Sequence, residues 1–299
     1  MSKTHLIGFF FRSLTGLAAL FIFLMVVVIL GNILYHGAGH LSWEFLTTSP
    51  RVGMTEGGIF PAIVGTFALV FLMTLAVVPL GVATALYLHE YAKQDSLFVH
   101  GVRLAVKNLA GVPSIVFGLF GLGFFIHFIG GNIDRLFYGS RLYYGQPAIL
   151  WASLTLAVLT LPTVIISTEE ALRAVPRAHR EAAYALGATR WQVVRNVALP
   201  QAIGGILTGT ILSVSRGAGE VAPILFTGAA YYLPYLPQRL NDQFMELGYH
   251  IYVMTTQSPD VEKTKPILYG TVLVLLLLTF SLNLTAVFIR SKIRRRIRR

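Results

Sequence analysis

The chain has 299 residues, of which 55% are hydrophobic and 12% charged, with a formal net charge of +11 and no cysteine. The charged fraction is about half that of a soluble domain, and the lack of cysteine excludes disulfides and thiolate metal sites. The charges are also segregated: stretches free of Asp, Glu, Lys and Arg cover 13–43, 57–89, 108–133, 142–168, 196–215 and 266–289. Each reaches the ~20 residues that a helix needs to cross the hydrocarbon core. None alternates as outer-membrane strands do, so the expectation is an all-α membrane protein with six transmembrane helices.

Lys3 and Arg12 precede the first run, as basic residues precede a secretory signal. The apolar stretch from Leu14 is longer than the ~7–15 residues of a signal's core and no small-residue cleavage site follows, which predicts an uncleaved first span. His36 and His40 stand four apart in the turn behind it, short of the three or four ligands of a zinc site. In the third run, Gly111, Pro113, Gly118, Gly121 and Gly123 predict either close helix packing or, at Pro113 and Ser114, a bend beside a path. Gly205-x-x-x-Gly209 opens the fifth run and predicts a close helix–helix contact.

Arg216 then interrupts an apolar stretch in SVSRGAGEVAP, with Glu220 four residues on. An arginine at mid-span costs at least ~2.5–3.5 kcal/mol, so it must face protein or water. Two readings stay open: a structural ion pair locking helices, or a gate or anion contact on a substrate path. Beyond it, 234–265 reads as an ordered outer loop with Pro234, Pro237 and Pro259, and Tyr231, Tyr232 and Tyr235 sit at the headgroup level. Seven basic residues from Arg290 to Arg299 follow the last span, an anchor against anionic membrane lipid. No aromatic interleaving or nucleic-acid module accompanies this tail, which argues against nucleic acid as a partner.

With residues 1–12 inside, the inner loops hold 17 Lys and Arg and the outer loops 6. That bias predicts both termini in the cytoplasm. Three sections follow: an amino-terminal helix and outer segment over 1–56, a core over 57–290 and a basic tail over 291–299. The chain has no GxxxxGK[ST] loop, no second histidine to complete His89-Glu90 or His179-Arg180-Glu181 as a zinc protease site, and no G-x-S-x-G elbow. It is not expected to be an enzyme, and nothing in it calls for a cofactor. Energy for transport must come from a partner chain or an ion gradient.

One polar segment stands apart, EAAYALGATRWQVVRNVALP over 181–200. Good helix formers lead to Gly187, a typical glycine just past a helix end. A second short helix follows, with Trp191, Val194 and Ala198 on one face. The plain reading is an amphipathic loop on the lipid surface. The spacing of Glu181, Ala182, Ala183, Gly187, Leu199 and Pro200 instead resembles the "EAA" signature of ABC importer membrane subunits, whose loop docks onto a separate ATPase. Further segments, among them LYLHEYA, NLAGVPSIVFGLFGLGFF, SRGAGEVAPILFTGAA and LNDQFMELGYHIYVMTTQSPD, are similar to the phosphate importer permeases of the binding-protein-dependent transport inner-membrane family. The closing SLNLTAVFIRSKIRRR is similar to the PstA type rather than its partner PstC.

That resemblance implies one amino-terminal helix plus a five-helix MetI-like core, with the EAA loop between core helices three and four. It implies bacterial inner-membrane localisation and a complex of this permease with PstC, two copies of the ATPase PstB and the periplasmic phosphate-binding protein PstS. Inorganic phosphate is the implied substrate, and Arg216 and Glu220 the implied charged pair on its path. The alternatives are a permease for another oxyanion, such as sulfate or molybdate, and a gradient-driven secondary transporter.

Overall fold

The computed structural model describes residues 3–139, 141–258 and 260–297. Pro259 of the outer loop and Arg298 and Arg299 of the basic tail lie outside the described residues. Among those described, six helices are long and apolar enough to cross a membrane: Ile7–His40, Phe60–Tyr91, Ser114–Phe137, Ile149–Arg173, Arg190–Gly217 and Val261–Ile293. They follow the order of the six charge-free runs.

Helix α1 (Lys3–Gly37) is apolar on every side and lies along the last helix, α13 (Val261–Ile297). Gly37 permits that contact, since a Cβ there would stand 2.7 Å from the Tyr269 carbonyl oxygen. His36 is spent on the same junction: its ring stacks on Tyr269 at 5.0 Å. After a short helix α2 (Trp43–Thr47), strands β1 (Pro50–Arg51) and β2 (Glu56–Gly57) form a two-residue antiparallel ladder that leads into α3 (Phe60–Leu86).

The core is built on α3 and α7 (Ile149–Arg173). Leu69, Val70, Met73 and Val77 of α3 interlock with Ile149, Ala152, Leu156 and Val164 of α7 in one buried cluster. Helix α10 (Leu199–Gly217) packs on both α7 and α3. A Cβ on Gly205 would overlap Ala171, and one on Gly209 would overlap Ser167, so the glycine pair sets how near the two backbones can run. Gly209→Val should therefore lower thermal stability in detergent, overpacking of this kind costing ~1–3 kcal/mol. Ser167→Gly in the same chain should recover most of the loss, which a melting curve on the three variants would check.

Several boundaries differ from the sequence reading. The third span starts at Ser114, not Asn108, because Gly111–Pro113 break the chain; 97–109 form a separate amphipathic helix, α4 (Leu97–Leu109). Its buried Val99, with Val102 and Val106 beside it, packs on Ala85, Leu88 and Ile165. The span itself is α5 (Ser114–Phe120), a π-helical stretch over 121–130 and α6 (Gly131–Phe137). Proline supplies the first-turn geometry of a new helix rather than a bend inside an old one. The fourth span runs on to Arg173, carrying Glu169 and Glu170 within the helix. The fifth is continuous from Arg190 to Gly217: α9 (Arg190–Val193), a π turn over 194–198, then α10.

Within the outer loop, 231–240 stay largely exposed, whereas 244–254 fold back into the core. Phe244, Met245 and Leu247 are fully buried, and Phe244 forms a bridge with Ala229. Gly65 makes room, since a Cβ there would overlap the Met245 carbonyl. Glu246 caps α12 (Leu247–Thr256), accepting from the Gly248 N–H at 2.8 Å and the Tyr249 N–H at 2.6 Å. Burial pushes its carboxyl up to about 7, against the opposing pull of those two N–H groups.

At the carboxyl end, α13 carries the basic tail, and the Arg290 guanidinium donates to Thr208 Oγ1 at 2.7 Å. Truncation after Arg290 keeps that bond and removes six of the seven basic residues. The expected result is a larger fraction of misoriented or degraded chain, with uptake per correctly inserted molecule unchanged. Protease-accessibility mapping beside uptake separates the two; intact topology with abolished uptake would contradict the anchor reading.

Candidate functional site

The loop between α7 and α10 is shaped by its own local chemistry. Helix α8 (Arg177–Ala185) starts behind Pro176 and stops at Gly187, whose φ of +82° lies in the left-handed region. The Gly187 N–H donates to the Tyr184 carbonyl at 2.9 Å, and the Ala188 N–H to the Ala183 carbonyl at 3.1 Å. These two bonds make a Schellman stop, which needs a residue tolerant of positive φ. Two residues on, Thr189 and Gln192 form a capping box: the Thr189 N–H donates to Gln192 Oε1 at 2.8 Å, and Gln192 N–H to Thr189 Oγ1 at 3.4 Å. A helix end and a helix start are thus both fixed within six residues.

The six signature residues fall into two groups. Glu181, Ala182 and Gly187 are exposed and Ala183 half-buried, all at the tip of the loop. Leu199 and Pro200 are half-buried at its root, where Leu199 packs with Leu172, Val175, Ala198 and Ala202. The tip also presents Leu186, 90% exposed, and Trp191, 56% exposed. Trp191 does not share the buried side of Val194 and Ala198: that side is completed by Val193. Such an apolar group on a polar loop marks a contact surface rather than core.

Polar contacts that the sequence reading did not foresee hold this loop and the adjoining helices together. The Arg180 guanidinium lies 3.0 Å from Glu90 and donates to the Leu172 carbonyl at 2.7 Å. Arg103 of α4 donates to Glu169 of α7 through Nε at 3.2 Å and Nη2 at 3.1 Å, and Nη2 also reaches the Leu88 carbonyl. His179 meets Gln201 at 2.9 Å. Glu90 and Glu169 each directly border a charge-free run, which was the available signal: an acid at the edge of a span needs a cation close by.

Arg216 and Glu220 are also brought together, with Nε to Oε1 at 3.2 Å. They do not share a helix face, because α10 ends at Gly217 and Glu220 sits in the turn before α11 (Ala222–Leu225). Gly217 packs directly on Met73 in the middle of α3, which places the pair near mid-depth of the bundle. The arginine side chain is nonetheless 44% exposed and the glutamate 20%. A charge exposed at that depth is incompatible with lipid, so this face meets another protein or a water-filled path. Among the described residues, no group of three or more His, Asp or Glu is placed to hold a metal ion.

The family model described as "Binding-protein-dependent transport system inner membrane component" matches residues 78–299. A probable ABC transporter permease protein, YqgI of Bacillus subtilis, is 33% identical over 83% of this chain and 83% of its own length. The phosphate transport system permease protein PstA of Mycobacterium leprae is 38% identical over 73% of this chain and 66% of its own. Among solved structures, a chain of a bacterial alginate ABC transporter superposes with a TM-score of 0.67 at 16% identity, over 95% of this chain and 96% of that one. The MetNI methionine ABC transporter, in an inward-facing form, gives 0.55 at 18% identity, over 79% and 94%. Both share the fold of this chain.

Proposed function

Because the chain belongs to the binding-protein-dependent transport system inner membrane component family, we propose that it is the PstA-type permease of an ATP-driven phosphate importer. It is a multi-pass membrane protein with the MetI-like importer permease fold. The ATPase is a separate chain in this reading, since no nucleotide-binding loop is present in the sequence. Both termini and α8 face the cytoplasm, following the surplus of Lys and Arg on that side. The sections 1–56, 57–290 and 291–299 then serve as anchor helix, importer core and lipid-facing tail.

The observation that carries the docking role is the loop tip. Two short helices are locked head to tail by the Schellman stop and the capping box, yet their apolar side chains Leu186 and Trp191 are exposed. A rigid, polar knob with an exposed apolar tip suits a groove on a partner. We assign that groove to one of two PstB ATPase copies, the second PstB being engaged by PstC. When ATP closes the PstB dimer, the knob is drawn inward, and the ties from Arg180 and Arg103 transmit the motion to α3 and α7. The permease pair then opens outward and accepts phosphate from PstS.

Phosphate as the cargo is supported by relatives named PstA that are 33% to 38% identical to this chain. Arg216 and Glu220 are the residues we place on the path. Their test is ATP-dependent uptake into proteoliposomes holding all four proteins, comparing labelled phosphate with sulfate. Phosphate uptake that excess sulfate does not reduce is expected. Equal uptake of sulfate would move the assignment to a broader oxyanion permease, and uptake without ATP would overturn it.

A further inference from the structure

Beyond the transport path, a second concentration of positive charge lies on the side of the bundle that carries α8. A cavity of about 430 Å³ is lined by Arg103, Arg173, Arg177 and Arg180, together with His89 and Gln94. Five separate parts of the chain contribute: the π turn over 87–91 that follows α3, the stretch before α4, α4 itself, the last turn of α7 and the first turns of α8. A smaller cavity of about 210 Å³ adjoins it, sharing Arg103 and Arg173 and lined further by Leu88, Val106 and Ile165.

The charges do not balance. Glu90 pairs with Arg180 at 3.0 Å and Glu169 with Arg103 at 3.1 Å. Among the described residues, Arg173 and Arg177 have no carboxylate within ion-pair distance, although Glu170 lines the smaller cavity beside Arg173. The Nη atoms of Arg180 are taken up by Glu90, His89 and the Leu172 carbonyl, but its buried Nε–H is left over at a cost. The residue lines an open cavity together with the two guanidiniums that lack a carboxylate. Guanidinium forks that line one cavity suit the oxygen pairs of a phosphate-type anion, each charge-assisted bond being roughly twice as strong as a neutral one.

We propose that this cavity is a binding site for a phosphate-type oxyanion, separate from the transport path. Two sources carry that chemistry: free inorganic phosphate in solution, and the headgroup of an anionic phospholipid whose acyl chain would lie along Leu88, Val106 and Ile165. In either case the anion ties α8 to α3, α4 and α7 and so stiffens the connection between the docking loop and the core. The inference does not depend on which substrate the importer carries.

The test uses the full chain with Arg216→Gln, so that an anion bound at the path pair contributes no signal. Inorganic phosphate is titrated calorimetrically in neutral detergent. In parallel, co-purifying phospholipid is weighed by native mass spectrometry in nanodiscs with and without phosphatidylglycerol. Arg173 and Arg177 are exposed, so Arg173→Gln with Arg177→Gln leaves the core intact; circular dichroism and the melting temperature confirm it. The expected result is at least a tenfold loss of affinity in that variant, with partial retention in the Arg173→Lys, Arg177→Lys form. Loss in the phosphate arm identifies a soluble ligand, and loss confined to the lipid arm identifies a headgroup. Unchanged binding in both arms, or no binding by the parent in either, would overturn the site.

Discussion

Gly187→Arg should leave the protein inserted and folded but strip the ATPase from it. The two halves of that outcome come from different facts. Gly187 sits at φ +82°, and an L-residue there costs ~1–2 kcal/mol. That is a local penalty at a helix stop, small against the packing of α3, α7 and α10. A Cβ at this position would meet nothing within 4 Å, so the arginine side chain enters open space in the isolated chain. The same open space is the surface of the knob, beside the exposed Leu186, and bulk there obstructs a partner. Gly187→Ala separates the causes, since it keeps the strain and omits the bulk. We expect alanine to weaken ATPase co-purification several-fold and arginine to abolish it along with uptake. Undiminished co-purification and normal uptake by the arginine variant would remove the docking assignment.

How much of this was legible beforehand depended on whether a feature is written locally or assembled at a distance. The spans were legible because excluding charge from hydrocarbon is a property of each segment alone. The Schellman stop was legible for the same reason: Gly187 and the preceding helix formers are contiguous. The α4 break was hidden, because apolarity cannot distinguish residues 108–113 in a span from the same residues leaving an amphipathic helix. The π turn over 194–198 was hidden too. It joins a polar loop helix to a span, and Pro200 just beyond it reads as the start of a new helix rather than as part of a continuous one. Least visible were the ties of Arg180 to Glu90 and Arg103 to Glu169, 90 and 66 positions apart in the chain. Read as topology signals, those arginines give no hint of the ties they also make. The burial of Phe244 and Met245 belongs to the same class, since the partner surface at Gly65 comes from another helix.

The remaining large effect concerns Arg216 and Glu220, where two accounts make opposite predictions. The pair exists at 3.2 Å, as either account requires. If it only locks the chain where α10 ends, Arg216→Gln strands Glu220 without its cation. Changing both to Gln should then recover assembly and most of the uptake. Several observations weigh against that account. The pair spans a helix end rather than two packed helices, and the arginine is 44% exposed on a face that lipid cannot cover. A pair serving only to lock the fold would be expected to gain from burial, yet the neighbouring Gly217 and Ala218 are buried and these charges are not. If Arg216 instead meets the anion in passage, its attraction has no neutral substitute. A dianion entering the bundle loses hydration that only charged donors restore. The double Gln variant should then assemble at normal yield and transport at least tenfold more slowly. Arg216→Lys should retain part of the rate, keeping the charge while losing the guanidinium fork. Glu220→Gln should assemble normally, and it frees Arg216 to hold the anion longer, lowering the apparent KM for phosphate and slowing its release. Complex yield and phosphate uptake on these four variants decide the matter, and full recovery by the double variant would return the pair to a structural role.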